Sequence, residues 1–265
     1  MPIAQLDSFS VYYEEYGAGD AIVLCSGIGA DHQAWKLQTA FLRNHMRVIV
    51  FDNPGVGHTT GLVGPYTAVL FADVLADLLS YLDVANAHVV GASMGGIVAQ
   101  ELALRHPTLV RSLQLHCTWA RADRYLVSLF QSWECYAQLV SPLDLARQIW
   151  LWVFTPNWYN DRFERLADLE REVRENPLPQ SPRAFCDQAA ACRGHDAFDR
   201  LAGIEAPTLV TVGDRDLLAP AYHSMAIKSR MPAAMLHVWP NMGHAAFWEI
   251  PDDFNELCLT FAKAH

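Results

Sequence analysis

Three kinds of side chain that can do chemistry together fall in one order along this 265-residue chain: a serine at 93, acids at 214 and 216, and a histidine at 244. A hydroxyl is a weak nucleophile until a neighbouring imidazole takes its proton, and the imidazole works best when a carboxylate fixes its tautomer. Ser93 sits in Gly91-Ala92-Ser93-Met94-Gly95, a G-x-S-x-G pentapeptide between the apolar run Ala87 to Val90 and the helical pattern Gly95 to Arg105. The pentapeptide alone is a weak signal, because Gly and Ser at ~7% each put one by chance into roughly one chain in ten of this length. Its position is the stronger signal: a strand-to-helix turn that exposes a serine hydroxyl needs this arrangement. The two glycines let strand and helix approach while the serine is held in a strained conformation beside the positive end of a helix dipole.

Such a turn predicts its partners in the chain order serine, acid, histidine. After the apolar run Pro207 to Val212 comes Gly213-Asp214-Arg215-Asp216-Leu217-Leu218-Ala219-Pro220, which offers two acids at a strand end; Asp123, after the run ending at Cys117, is a more distant alternative. After Met235 to Trp239 comes Asn241-Met242-Gly243-His244. Eleven histidines are available, so location rather than type favours His244. His32, His58 and His116 also fall near strand ends and read as hydrogen-bonded structural residues or pocket liners. Acyl transfer also needs donors for a developing oxyanion. The N–H of Met94 supplies one, and that of Ile28, in Ser26-Gly27-Ile28-Gly29, is the natural second.

These loops need a scaffold, and the chain supplies short apolar runs alternating with helical patterns. A strand or hairpin over Ser8 to Tyr16 and a buried strand Ala21 to Cys25 come first, then helix Trp35 to Asn44 and strand Arg47 to Asp52. Helix Ala68 to Leu82, strand Ala87 to Val90, helix Gly95 to Arg105 and strand Val110 to Cys117 follow. The pattern resumes with strand Pro207 to Val212, helix Pro220 to Arg230, strand Met235 to Trp239 and a last helix from Pro251. Alternation with wholly apolar strands predicts an α/β fold, a mostly parallel, doubly wound sheet whose strand carboxyl ends form the site. Residues 120–200 show no strand pattern and read as helices broken at Pro142, Pro156 and Pro177 to Pro182. The expected division is a core of 1–119 and 201–265 with an all-helical cap of 120–200. The aromatic set Trp133, Trp150, Trp152, Phe154, Trp158 and Tyr159 belongs to that cap, and part of it is expected to line a pocket.

Composition narrows the partners. Hydrophobic residues make up 52% and charged residues 18%, which excludes disorder. The formal charge of -10 and the lack of any basic run argue against nucleic acid and anionic membrane. A mean hydropathy of +0.08 suggests a membrane protein, but no window of about 18 apolar residues occurs. Met1 to Asp20 lacks a basic region followed by an apolar one, so a cytoplasmic location is expected. The six cysteines have no C-x-x-C pair, which argues against zinc and against a disulfide framework, and they read as small buried hydrophobes. A small-molecule substrate with no metal and no cofactor is the expectation.

With these residues assembled, the chain resembles the α/β-hydrolase family over nearly its whole length. The resemblance rests on the early Gly27-x-Gly29 loop, the Asp52-x-x-Gly55-x-Gly57 turn, the serine turn, the G-x-x-D-x-x-x-P segment and Gly243-His244. In the family pattern the acid stands three residues after the glycine and four before the proline, which matches Asp216 rather than Asp214. The resemblance implies Ser93, Asp216 and His244 as a triad, with Ile28 and Met94 as the oxyanion hole. A serine at 93 separates the chain from members with an aspartate nucleophile, such as haloalkane dehalogenases and epoxide hydrolases. Two departures are local: Ser26-Gly27 replaces the frequent His-Gly, and Pro54 stands where Arg is often found.

Within the family, Gly27 to His32 and Ser93 to Gly96 are similar to small esterases and enol-lactonases of the 3-oxoadipate type. The first segment is also similar to regulatory hydrolases that bind butenolide signals. The expected activity is hydrolysis of a small, mostly apolar carboxylic ester or lactone through an acyl-enzyme. The alternatives are C–C bond hydrolysis of a β-diketone or vinylogous ketone by the same residues, and a ligand receptor with slow turnover.

Overall fold

The computed structural model of the chain describes residues 2–6 and 8–265; Met1 and Asp7, within the stretch read above for a leader, lie outside the described residues. The first half runs β1 (Ile3–Gln5), β2 (Ser10–Tyr16), β3 (Ala21–Cys25), α1 (Lys36–Leu42), β4 (Arg47–Phe51), α2 (Ala68–Tyr81), β5 (Ala87–Ala92), α3 (Met94–Arg105) and β6 (Val110–His116). Five helices follow: α4 (Arg124–Ala137), α5 (Pro142–Val153), α6 (Pro156–Asp161), α7 (Phe163–Glu175) and α8 (Pro182–Gly194). The chain then closes with β7 (Thr208–Gly213), α9 (Tyr222–Arg230), β8 (Met235–Trp239), α10 (Ala246–Glu249) and α11 (Pro251–Lys263).

The strands form one sheet in the order β1-β2-β4-β3-β5-β6-β7-β8. It is parallel from β4 to β8, with β1 and β2 antiparallel at one edge. Alternate side chains of the parallel strands serve the two faces, as the strand period of two requires. Ile22, Leu24, Val48 and Val50 pack with Leu42 of α1 and Phe254 of α11. Val23, Cys25, Ile49 and Phe51 pack on the other face with residues of α2, α3 and α9. The all-apolar runs seen in the sequence are thus strands covered on both sides.

The differences from the sequence reading are local. β1 is an edge strand too short to show a period. The helix expected over Trp35 to Asn44 divides into a 3₁₀ turn, His32–Trp35, and α1. The helical segment is interrupted where the prolines are expected to break it, and three of them also begin the next helix: Pro142, Pro156 and Pro182 each stand at the first helical position, after Ser141, Thr155 and Ser181. Those three hydroxyls accept the N–H groups of Asp144, Trp158 and Ala184, so each helix start is capped and pre-set in φ. Cys25, Cys117, Cys192 and Cys258 are buried as expected, but Cys186 is half-buried and Cys135 exposed on α4, because periodicity in that helix turns 135 away from its packed stripe. Among the described residues no helix is long and apolar enough to cross a membrane.

Candidate active site

The turn after β5 brings strand and helix to within backbone contact. A Cβ on Gly91 would meet the carbonyl oxygen of Gly95 at 2.3 Å, and one on Gly95 would meet that of Cys25 at 1.9 Å, so both glycines are required by space. Ser93 between them takes φ 57° and ψ -120°, a conformation that costs about 1–3 kcal/mol and persists only when its surroundings hold it. They do: the Ser93 N–H donates to His116 O at 3.0 Å, and Ser93 O accepts from Thr118 Oγ1 at 2.8 Å and from the Gly96 N–H at 2.9 Å. Met94 is the first residue of α3, so its N–H has no acceptor within the helix.

The loops after β7 and β8 are laced together. The Arg215 N–H donates to Met242 O at 3.0 Å, and Arg215 Nη2 donates to Asn241 Oδ1 at 2.7 Å. This lacing brings Asp216 to His244: Asp216 Oδ2 lies 2.8 Å from Nδ1 of His244, while Oδ1 accepts the N–H groups of Leu218 and Ala219, each at 2.9 Å. Both residues are buried, whereas Asp214 is exposed. Asp123 is used elsewhere, capping α4 through the Leu126 N–H and accepting from the Tyr222 hydroxyl at 2.6 Å. Nε2 of His244 is buried and has no hydrogen-bond partner among the described residues. Burial works against the imidazolium, but the Asp216 carboxylate overrides it, with the Cys117 thiol adding in the same direction; His244 is held well above the usual histidine pKa.

Ser93, His244 and Ile28 line one cavity of about 190 Å³. Its walls are Trp133, Trp150 and Phe154 from the inserted helices and Trp35, Phe247 and Trp248 from the sheet's own connections. The sequence reading anticipated the first three and missed the second three, which carry no local signal. Of the remaining aromatics, Trp158 stacks on Phe154 with ring centroids 3.9 Å apart, and Trp152 and Tyr159 pack behind the walls.

The loop carrying Ile28 is anchored on three sides. Ser26 Oγ donates to Asp31 O at 3.1 Å, so this serine secures the loop where the resemblance leads one to expect histidine. Asn53 Nδ2 donates to Ser26 O at 3.2 Å. The Gly29 N–H donates to Oε1 of Gln188 at 3.0 Å, and Gln188 Nε2 reaches Pro54 O at 2.9 Å, so α8 holds the loop from above.

The three other histidines fill structural places. His32 Nδ1 lies 2.7 Å from Asp52 Oδ1, the His58 N–H donates to Asp52 Oδ2 at 2.9 Å, and the buried His116, 2.7 Å from Thr211 Oγ1, is pushed down to about 3 by its burial.

Glu249 was not singled out in the sequence. Its Oε1 accepts the Thr155 N–H at 2.6 Å, and its Oε2 accepts Thr155 Oγ1 at 3.2 Å and the Gly243 N–H at 3.4 Å. One carboxylate thus joins the start of α6 to the residue before His244. Burial raises its pKa against the pull of those donors. A glutamate five residues after the histidine was the available signal.

Comparison with known proteins follows the same lines. A model of the alpha/beta hydrolase fold matches residues 20–251. The chain belongs to the α/β-hydrolase family. Among curated hydrolase relatives, RutD of Azorhizobium caulinodans, named as a candidate carbamate hydrolase, is 32% identical over 262 residues, covering 98% of each chain. Among solved hydrolase structures, the enol-lactonase of Burkholderia xenovorans LB400 superposes with a TM-score of 0.87 at 25% identity, over 98% of this chain and 99% of that one. Est816, described as an N-acyl homoserine lactone degrading enzyme, superposes with a TM-score of 0.83 at 27% identity, over 97% of this chain and 98% of its own. The eight-stranded, mostly parallel sheet is the architecture of this hydrolase family.

Proposed function

We propose that this hydrolase cleaves a small, mostly apolar carboxylic ester or lactone through an acyl-enzyme, with Ser93 as nucleophile, His244 as base and then acid, and Asp216 as its orienting carboxylate. The observation that carries the reading is the buried Asp216–His244 pair, 2.8 Å apart, whose free Nε2 belongs to the same apolar cavity as the strained Ser93. Ser93 Oγ attacks the carbonyl carbon while His244 Nε2 takes its proton, and the N–H groups of Ile28 and Met94 hold the oxyanion. The proton then passes from Nε2 to the leaving alkoxide. Water enters and gives a proton to Nε2 as its oxygen adds to the acyl carbon, and Nε2 returns that proton to Ser93 Oγ as the C–Oγ bond breaks and the acid leaves. Residues 120–200 act as the cap, and the core is 1–119 with 201–265. No cofactor enters this sequence of steps.

A panel of neutral aryl esters, lactones, aryl carbamates and a vinylogous diketone tests the reading, together with labelling by a fluorophosphonate. Multiple turnover of an ester or lactone with one label per chain is expected. Fast diketone cleavage beside slow esters would overturn it in favour of C–C hydrolysis. Ligand-induced thermal stabilisation without turnover would favour a receptor.

Glu249 offers a second check. Losing three accepted hydrogen bonds frees both the α6 start and the loop ahead of His244, and small displacements of a base cost up to about 10²-fold. Glu249→Ala should therefore lower kcat by roughly 10–100-fold, with Glu249→Gln recovering much of it through its remaining acceptor oxygen. Equal kcat in wild type and Glu249→Ala would remove Glu249 from the positioning of His244.

A further inference from the structure

Behind the cavity at Ser93 lies a second one of about 260 Å³, and the two share Ile28, Ala30, Ile149 and Trp150 as common walls. Its remaining walls come from Gly29, the inserted helices and the segments joining them. On α5, Pro142, Leu145, Ala146 and Ile149 fall at i, i+3, i+4 and i+7, the spacing of one apolar stripe. Leu145 and Ile149 pack in part against the main core, yet none of the twelve residues of α5 is buried, and the rest of the stripe's surface lines the chamber. No residue lining the chamber carries a charge, and His244 is the sole ionisable side chain lining the cavity at Ser93. An outer cleft that shares Ala30 and Trp150 with both carries Asp31, Glu172 and Glu175. Among the lining residues is Gln180, whose Nε2 is buried with no hydrogen-bond partner among the described residues.

We propose that this chamber is the binding site for an uncharged apolar arm of the substrate, extending from the scissile carbonyl past Ile28 and Trp150 along the α5 stripe, with a hydrogen-bond acceptor on the arm meeting Gln180. The proposal rests on Ser93 as the reacting centre: Ile28 and Trp150 line both cavities, and the arm is proposed to cross between them there. An arm of this kind gains from leaving water. A carboxylate at its end finds no cation among the residues lining the chamber, so burying it there goes uncompensated and it is rejected.

The test is a series of neutral p-nitrophenyl esters from acetate to decanoate, with an ω-carboxylated octanoate beside them. Wild type is expected to gain at least ten-fold in kcat/KM from acetate to octanoate and to lose that gain with the ω-carboxylate. Ala146→Phe, which fills the chamber, should cost the octanoate ten-fold or more and leave the acetate within two-fold; Val173→Phe serves the same purpose should Ala146→Phe melt early. A ketone moved along the octanoyl chain should find a position favoured by wild type over Gln180→Leu by three-fold or more, and the lack of one overturns the role of Gln180. Octanamide binding to Ser93→Ala, followed by tryptophan fluorescence, separates the two readings. If acetate is hydrolysed through Ser93 with no gain on lengthening, the chamber proposal falls and the hydrolase reading stands. If no ester turns over but octanamide binds Ser93→Ala and not Ser93→Ala/Ala146→Phe, the reverse holds.

Discussion

Ser93→Ala is expected to lower hydrolysis by on the order of 10⁶-fold and to abolish fluorophosphonate labelling, with the fold intact. The magnitude follows if the proposed triad acts as a unit, in which loss of the nucleophile leaves only the proposed oxyanion donors and substrate binding. The fold should survive because the bonds that hold residue 93 at positive φ use its backbone: the N–H to His116 O and the carbonyl to Thr118 Oγ1 and the Gly96 N–H. Alanine keeps all three. A melting temperature within a few degrees of wild type, beside lost turnover, is the expected pair of results. Turnover within ten-fold of wild type would falsify the assignment of Ser93.

Asp216→Asn should cost about 10⁴-fold in kcat. Oδ1 of Asp216 already accepts two N–H groups, from Leu218 and Ala219, so an asparagine must keep its oxygen there and turn its NH₂ toward Nδ1 of His244. That places the imidazole proton on Nε2, the nitrogen that in the proposed mechanism receives the serine proton. The same substitution changes the pH profile. In the proposed mechanism neutral imidazole is the active form, so activity is lost as pH falls through the His244 pKa, which the Asp216 carboxylate holds well above the usual value. The acid limb of kcat/KM in wild type should accordingly lie above about 6.5. In Asp216→Asn the limb moves down and the plateau falls. Asp214→Asn, at an exposed position, should change neither, which makes it the internal control. An Asp216→Asn enzyme with an unmoved limb and activity within ten-fold would leave Asp216 without this role.

What could be read from the sequence about the site is what local backbone demands write into it. The Ser93 turn needs glycines at 91 and 95 because strand, turn and helix meet within five residues, and Gly95 has no room for a Cβ beside Cys25. The β and α periods are equally local, so Ala87–Ala92 and Val110–His116 were legible to within two residues. The spacing of Gly213, Asp216 and Pro220 distinguished two acids only through a family pattern. In the fold, burial and a 2.8 Å bond distinguish them physically.

The sequence by itself determined the alternation of strands and helices, the strained turn that presents Ser93, and the strand ends where an acid and a histidine fall, because each is fixed by dihedral preference and periodicity over a few residues. The tertiary structure alone decided the rest. Trp35, Phe247 and Trp248 meet Trp150 around one cavity, Gln188 of α8 holds the Gly29 N–H from 159 positions away, and Glu249 ties Thr155 to the residue before His244. The α5 stripe, which in the sequence looks like any core-facing helix, packs only in part on the core and lines the second cavity with the rest of its surface. Contacts across such separations depend on how helices dock over a sheet edge, and no window of sequence contains both partners.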